Sequence, residues 1–491
     1  MIRDEDLVTF LTTIATELQN SVRPNLTSGM ALRSVDSINV TLGRLIAEVK
    51  DGNRIAGEYH GRWADLAARS PFGAPAVGSA DTDKKPLQRM NHMVDAMQAQ
   101  LASDPAFKGF VASLHGGDAK ANAWLKESAN TLYSMWRSIE AAHFRPPVVD
   151  VGSEASPDDP ELIRRRLGAY LANKYPTLGE NCIESLRLIP GGQAKRTVLF
   201  QLKPNDVLPT RLVMRQDMEN SLTGTVVTDE FAVLQRVFAL GVPMPEPIFL
   251  EADAAPVGGA FLVMREVEDS QPAGTYFPEE RAYLGHTMGP RFSYEVAGAL
   301  AKLHSQTTID SAGGNAQEEA RTIAELEKEW RSHPSGALSI GMDLGIAWLR
   351  ANPLPPGRPC CLIHGDVGAH NLMSRDGHLA ALLDWELAKP GDPAEDIAQT
   401  RMMLLPDTMP WEEFARAYVE QGGSPAAVDE HAVGYYAVRT YIKHSVLNFR
   451  LWDYYMTGKR TDAAAASVAS HWIDRLQLYL SRALASAVAA K

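Results

Sequence analysis

Three oxygen-bearing side chains in the carboxy-terminal half carry the chemistry that can be read from this chain. Asp366 and Asn371 share the stretch Leu362-Ile-His-Gly-Asp-Val-Gly-Ala-His-Asn-Leu372, and Asp384 follows in Leu382-Leu383-Asp384-Trp385-Glu386, at the end of an apolar run. Phosphoryl transfer to a hydroxyl asks for such a set: one carboxylate to orient and deprotonate the attacking group, and hard oxygen ligands to hold Mg2+ against phosphates. A His-Gly-Asp tripeptide by itself is more often a turn in which glycine supplies an unusual backbone angle. Asn371 and Asp384 at this spacing are what lift it above a turn.

The elements around these residues follow from hydrophobic period and turn chemistry. Residues 361–363 and 379–383 read as short strands flanking a polar loop, so the three groups sit on loops held by strands. Upstream, 183–189, 197–202, 211–215 and 261–264 are short apolar runs separated by Gly, Pro, Asn and Asp, the pattern of a hairpin sheet. Between them, 230–240 has a helical period that Gly241-Val242-Pro243 stops. From residue 292 onward the chain is mostly helical. So is the region before residue 144, where Leu7, Phe10, Leu11, Ile14 and Leu18 recur at three- and four-residue spacing. A run rich in Pro, Asp and Ser before Pro160 reads as a linker. The expected organisation is a helical domain over 1–148, a linker over 149–160, a sheet-bearing lobe over 161–268 and a helical lobe over 269–491.

The two motifs together resemble the aminoglycoside-phosphotransferase-like branch of the protein-kinase-like superfamily, whose loop reads His-Gly-Asp, four residues, Asn, and then Asp a strand later. The resemblance implies an α+β bilobal kinase-like fold, here preceded by an all-α domain, and transfer of a phosphoryl group from ATP, with Mg2+, to a small-molecule hydroxyl. Carried over by position, it makes Asp366 the catalytic base, Asn371 and Asp384 the metal ligands, and His364 a brace for the loop. Glu386 becomes a neighbour of the metal or of the substrate. Asp392 and Asp396, in Gly391-Asp-Pro-Ala-Glu-Asp396, match a downstream Gly-Asp-Pro element that holds the lobe together. Leu300-Ala-Lys-Leu-His304 matches a helix end, with His304 read as a structural histidine capping its own helix.

The nucleotide side is less regular. Pro190-Gly191-Gly192-Gln193 falls between two expected strands, where Gly191 and Gly192 would let backbone N–H groups approach phosphates. The turn is similar to the Gly-Gly-Gln-Ser-Asn of acyl-CoA-dehydrogenase-associated hydroxyacyl-CoA kinases but continues Ala194-Lys195, losing a hydroxyl and an amide. Arg215 stands where a protein kinase carries its third-strand lysine, as in the same subgroup. It is assigned to the phosphates, where its planar fork can clamp oxygens, with Glu230 as its partner. Phe261-Leu-Val-Met-Arg-Glu266 resembles the strand and hinge that meet adenine, placing Met264 and Glu266 there.

The acceptor is not written in a motif. Arg439, Lys443 and Arg450 fall near one face of an expected helix over 435–455, a cationic stripe suited to an anionic acceptor such as a coenzyme A phosphate. With the subgroup resemblance this favours a hydroxyacyl-CoA. The alternatives are an aminoglycoside or other amino alcohol, or a non-catalytic nucleotide-binding scaffold. A formal charge of −12 speaks against a nucleic-acid partner. The three cysteines lack metal-ligand spacing, the amino-terminal residues lack a signal-peptide core, and no apolar run reaches spanning length, so a cytoplasmic protein without a membrane partner is expected. Homo-oligomerisation is left open.

Overall fold

The computed structural model describes residues 4–26, 29–73, 85–142, 160–189, 195–218, 223–277, 288–305, 314–333, 340–405, 408–457, 459 and 463–489. Most of the expected linker, 149–159, and the glycine turn with Gly191 and Gly192 lie outside them. Among the described residues no helix is long and apolar enough to cross a membrane, and none of the three cysteines forms a disulfide.

The chain opens with five helices, α1 (Asp4–Glu17), α2 (Gly29–Ala68), α3 (Pro86–Leu101), α4 (Asp104–His115) and α5 (Ala119–Ala142). Helix α6 (Pro160–Lys174) then leads into the strands β1 (Ile183–Ile189), β2 (Lys195–Leu202) and β3 (Arg211–Asp217). Helix α7 (Val227–Ala239) and strands β4 (Pro247–Glu251) and β5 (Phe261–Arg265) complete an antiparallel five-stranded sheet in the order β1-β2-β3-β5-β4. Strand alternation gives this sheet two working faces. Leu212 and Met214 of β3 join Val198, Phe200, Phe261 and Val263 in a core that α6 covers with Ile163, Leu167 and Leu171. Between them, Val213 and Arg215 face the other way, toward α7 and the second lobe.

That lobe begins with β6 (Gln271–Pro272), α8 (Pro290–His304), α9 (Gly314–Ser332) and α10 (Ile340–Ala351). Strand β7 (Cys361–Ile363), the hairpin β8 (Leu372–Arg375) and β9 (His378–Leu382), and β10 (Lys389–Gly391) frame the catalytic stretch. Helices α11 (Ala394–Met403), α12 (Trp411–Glu420), α13 (Glu430–Met456) and α14 (Ala463–Ala489) finish the chain. The loop expected between two strands thus contains a strand of its own, β8, which pairs with β9. Its residues alternate too briefly to register as a period.

The amino-terminal helices are not a detached body. Trp63, Met97, Leu125 and Leu132 belong to the same continuous apolar cluster as Leu344, Ile442 and Leu480 of the second lobe. Polar contacts cross the same junction: Gln98 Nε2 donates to Asp343 Oδ2 at 2.9 Å, and His115 Nδ1 lies 3.0 Å from the Ala351 carbonyl.

Candidate active site

The stretch around Asp366 is held from behind by one helix. Asp396, fully buried on α11, accepts from the backbone N–H groups of His364 and Gly365, each at 2.8 Å. Gln399, one turn further on, accepts from Val367 N at 2.7 Å and donates to the Gly365 carbonyl at 3.0 Å. Gly365 adopts φ +80°, and a Cβ there would stand 2.4 Å from the Leu387 carbonyl oxygen, so only glycine fits. His304 does not cap its own helix. Its Nε2 donates to Asp396 at 3.0 Å while Nδ1 meets the Tyr418 hydroxyl at 2.9 Å, which makes it a buried brace for the carboxylate that braces the loop. Asp392 and Arg358 form a buried ion pair, and Asp392 Oδ1 accepts from Ala394 N at 3.0 Å at the start of α11.

His364 sits between the loop and the strand end. Its Nε2 faces the Leu383 carbonyl at 2.8 Å and, because a carbonyl only accepts, carries the proton; Nδ1 accepts from Asp366 N at 3.3 Å. Asn371 makes a second stitch, its carbonyl accepting from Leu383 N at 2.8 Å. These two bonds fix the residue before Asp384 against the loop that carries Asp366 and Asn371. Asn371 bonds Asp366 directly, and the backbone that leads into Asp384 is tied to the same loop. Asp384 itself has φ +63°, a left-handed conformation uncommon outside glycine, and its side chain remains 37% exposed.

Asp366 is pinned by one oxygen. Oδ2 accepts from Asn371 Nδ2 at 2.9 Å and from His370 Nε2 at 3.3 Å, whereas Oδ1 is buried with no partner. Burial opposes ionisation of this carboxyl, but His370, then His444 and Lys443, outweigh it and hold the group well below the usual carboxylate range.

Across the cleft, Arg215 is enclosed by carboxylates. Its Nη2 donates to Asp384 Oδ1 at 2.7 Å and lies 3.8 Å from Glu386, and its Nε lies 3.5 Å from Glu230. The Glu230 contact is an ion pair by distance without hydrogen-bond geometry: Arg215 Nε and both Glu230 oxygens are buried without hydrogen bonds. Burial pushes Glu230 up to about 7, with Arg215 opposing and Asp384 and Glu386 adding to the rise. Lys195 is a cation that no motif singled out. It is buried at the start of β2, 3.2 Å from Asp217 and 3.9 Å from Glu386, and it donates to the Thr225 carbonyl. Glu386 also accepts from Thr225 Oγ1 at 3.0 Å, and burial raises its pKa.

Glu230 makes the stability of the fold depend on pH. Its folded pKa lies above the ordinary 4.5, so it destabilises the ligand-free fold progressively as pH rises from about 4.5 to about 7, by roughly 3 kcal/mol in total. Glu230→Gln removes that slope. Thermal unfolding of both proteins at pH 5 and pH 8 should show the variant gaining on the wild type only at the higher pH.

No trio of His, Cys, Asp or Glu among the described residues is spaced to hold a metal unaided. A magnesium ion bound chiefly through nucleotide phosphates and water asks for only one or two carboxylates, and Asn371, Asp384 and Glu386 supply hard oxygen donors of that kind. At the expected hinge, Met264 is buried and pairs with Val213. Glu266 forms a bidentate pair with Arg211 at 2.9 and 3.0 Å, and its N–H donates to the Arg211 carbonyl.

The cationic stripe on α13 is revised. Arg439 is buried and paired with Glu395 at 2.6 Å and Glu319 at 2.9 Å, and Arg450 meets Glu329 at 2.6 Å. Only Lys443 reaches the catalytic loop, its Nζ 3.4 Å from the Gly365 carbonyl, and burial pushes it down to about 8. Helical spacing is the same whether a stripe is solvated or ion-paired, so the pattern alone did not separate the two. Instead, aromatic rings border Asp366. Tyr276 lies 5.2 Å from the His370 ring and 4.5 Å from Trp472 between centroids, and its hydroxyl bonds His444 Nδ1. Phe277 follows, stacked on Tyr479 at 5.6 Å. No sequence motif pointed to this wall, because its members come from β6's trailing loop, α13 and α14.

The model of the phosphotransferase enzyme family (APH) matches residues 185–433. Acyl-CoA dehydrogenase family member 11 of Rattus norvegicus is 25% identical over 308 residues, 60% of this chain and 37% of the relative. Acyl-CoA dehydrogenase family member 10 of Mus musculus is 25% identical over 279 residues, 54% of this chain and 24% of the relative. The matched stretch thus spans little more than a third of those proteins at most. Among solved structures, a choline/ethanolamine kinase family protein from Mesorhizobium loti has 18% identity and a TM-score of 0.45, covering 67% of this chain and 99% of its own. Macrolide 2'-phosphotransferase from Brachybacterium faecium has 18% identity and a TM-score of 0.39, covering 61% and 95%.

Proposed function

This chain belongs to the phosphotransferase enzyme family, a kinase acting on a small-molecule hydroxyl, and from that premise we propose that it uses ATP with Mg2+ and that its acceptor is a hydroxyacyl-CoA. The carrying observation is the Tyr276 ring, packed against His370, the histidine that bonds Asp366, and backed by Trp472 and by the buried Phe277 and Tyr479. An aromatic wall suits an acyl chain, which gains by leaving water. A polycation would instead want carboxylates, and among the described residues the groups that act most on Asp366 are His370, His444 and Lys443. The likeness to acyl-CoA dehydrogenase family members 10 and 11 supports the same acceptor class.

In this reading Asp366 Oδ1 receives the acceptor's hydroxyl proton while the hydroxyl oxygen bonds to the γ-phosphorus and the bond to the departing ADP breaks. Asn371 and His370 hold Oδ2, which leaves Oδ1 without a competing hydrogen bond. Arg215 and Lys195 contribute positive charge to the phosphate side, and Asn371 and Asp384 hold the metal. The bound Mg2+ supplies neutralisation of phosphate charge.

The test is ATP consumption by the purified full chain with 4-hydroxyacyl-CoAs of several chain lengths, set against choline, ethanolamine and kanamycin. Turnover confined to the hydroxyacyl-CoAs is expected. Preference for an amino alcohol overturns the acceptor class, and ATP binding without turnover of any compound points to a scaffold.

A further inference from the structure

Helix α14 serves two clients. Trp472 and Tyr479 fall two turns apart on one face and reach the aromatic wall, with Trp472 against Tyr276 and Phe277, and Tyr479 against Phe277 and Tyr441. The neighbouring residues turn to the amino-terminal helices: Asp474 pairs with Arg44 of α2 at 3.3 Å, and Arg475 Nε donates to Glu140 of α5 at 2.9 Å.

Arg475 touches both sides at once. Its guanidinium lies 4.6 Å from the centre of the Phe277 ring, and its side chain is 2% exposed. A guanidinium removed from water onto an aromatic face is costly unless a carboxylate and hydrogen bonds compensate it. Glu140 supplies that compensation from across the junction. From Phe277 the contacts continue through Tyr276, whose ring centre is 4.8 Å away, to His370, which bonds Asp366. One route from the helical region to the catalytic carboxylate therefore runs through the Arg475–Glu140 ion pair and the wall, through packed side chains.

We propose that the amino-terminal helices set the acceptor wall, with Glu140 acting through Arg475 as a positioning residue for the acceptor. The proposal rests on reading that wall as the acceptor's binding surface. It gives the helical region a physical role. Without Glu140, Arg475 seeks water or another anion, Phe277 and Tyr276 lose their backing, and the acceptor is misplaced while the nucleotide side, on the sheet lobe, is untouched.

The test compares the full-length wild type with Glu140→Gln, and with Glu127→Gln as control, since Glu127 forms an exposed pair with Arg69 on the same helix as Glu140. Hydrogen exchange followed by mass spectrometry is expected to rise in Glu140→Gln over the peptide containing Tyr276 and Phe277 as well as over α14, and not in the control. ADP affinity by calorimetry should stay as in the wild type. The KM of whichever compound in the panel is turned over should rise about tenfold, against a smaller change in the KM for ATP. Should Glu140→Gln fail to fold, Glu140→Asp keeps the charge on a shorter stem and is expected to show the same changes at smaller size. Unaltered exchange at Tyr276 and Phe277, or an equal loss of ADP affinity, overturns the proposal. If no compound is turned over, the acceptor reading fails, while the exchange and ADP measurements still decide whether the helices position the wall.

Discussion

Replacing Asp366 with Asn should lower phosphoryl transfer by about 10²- to 10⁴-fold while leaving nucleotide affinity nearly unchanged. The amide keeps the volume of the side chain and leaves the loop scaffold intact, because that scaffold is built by Asp396, Gln399 and His364 through backbone groups. What it loses is the oxygen proposed to take the hydroxyl proton. Asp366 Oδ1 is buried without a partner, so in the resting protein it is committed to nothing else. The measurement is single-turnover transfer alongside calorimetric ADP binding. Equal losses in both would show that Asp366 holds nucleotide and that the base lies elsewhere. Because His370, His444 and Lys443 keep the carboxyl ionised far below neutrality against the cost of burial, an acid limb near pH 4 in the wild-type rate profile should not belong to it.

Asp384→Asn should fail at the other step. Magnesium-dependent ATP affinity is expected to fall about 100-fold, or ~3 kcal/mol, the scale of charge-assisted contacts to one ionised group. In magnesium-free buffer the variant and the wild type should bind ATP alike, which separates loss of a metal ligand from collapse of the site. Collapse is not expected on structural grounds. The Asp384 side chain is partly exposed, and Arg215 retains Glu230 and Glu386 as neighbours. If instead Asp384→Asn abolished transfer with magnesium-ATP binding intact, and Asp366→Asn weakened that binding, the two roles would have to be exchanged.

Much of the candidate site was legible as a pattern because it is nearly local. Asp366, Asn371 and Asp384 lie within one short stretch of loop, strand and turn; β1, β2 and β3 of the sheet lobe were legible for the same reason, being paired in chain order, whereas the pairing of β3 with β5 was not. Residues whose work depends on distant partners were not. Arg439 and Arg450 form a stripe in the sequence but ion pairs in the fold. Gln399 and His304 carry no motif for their place behind the loop, Lys195 looked like a defect in a glycine turn, and the helical region looked like a separate body. Hydrophobic period tells which face of a helix is covered but not what covers it. Identities and spacing thus pointed to a phosphoryl-transfer constellation, and the family resemblance they carry implied the two-lobed scaffold. Tertiary structure decided which charges are spent on one another, which aromatic rings border Asp366, and that α14 joins the amino-terminal helices to that border, because those contacts link segments hundreds of residues apart whose local patterns are indifferent to one another.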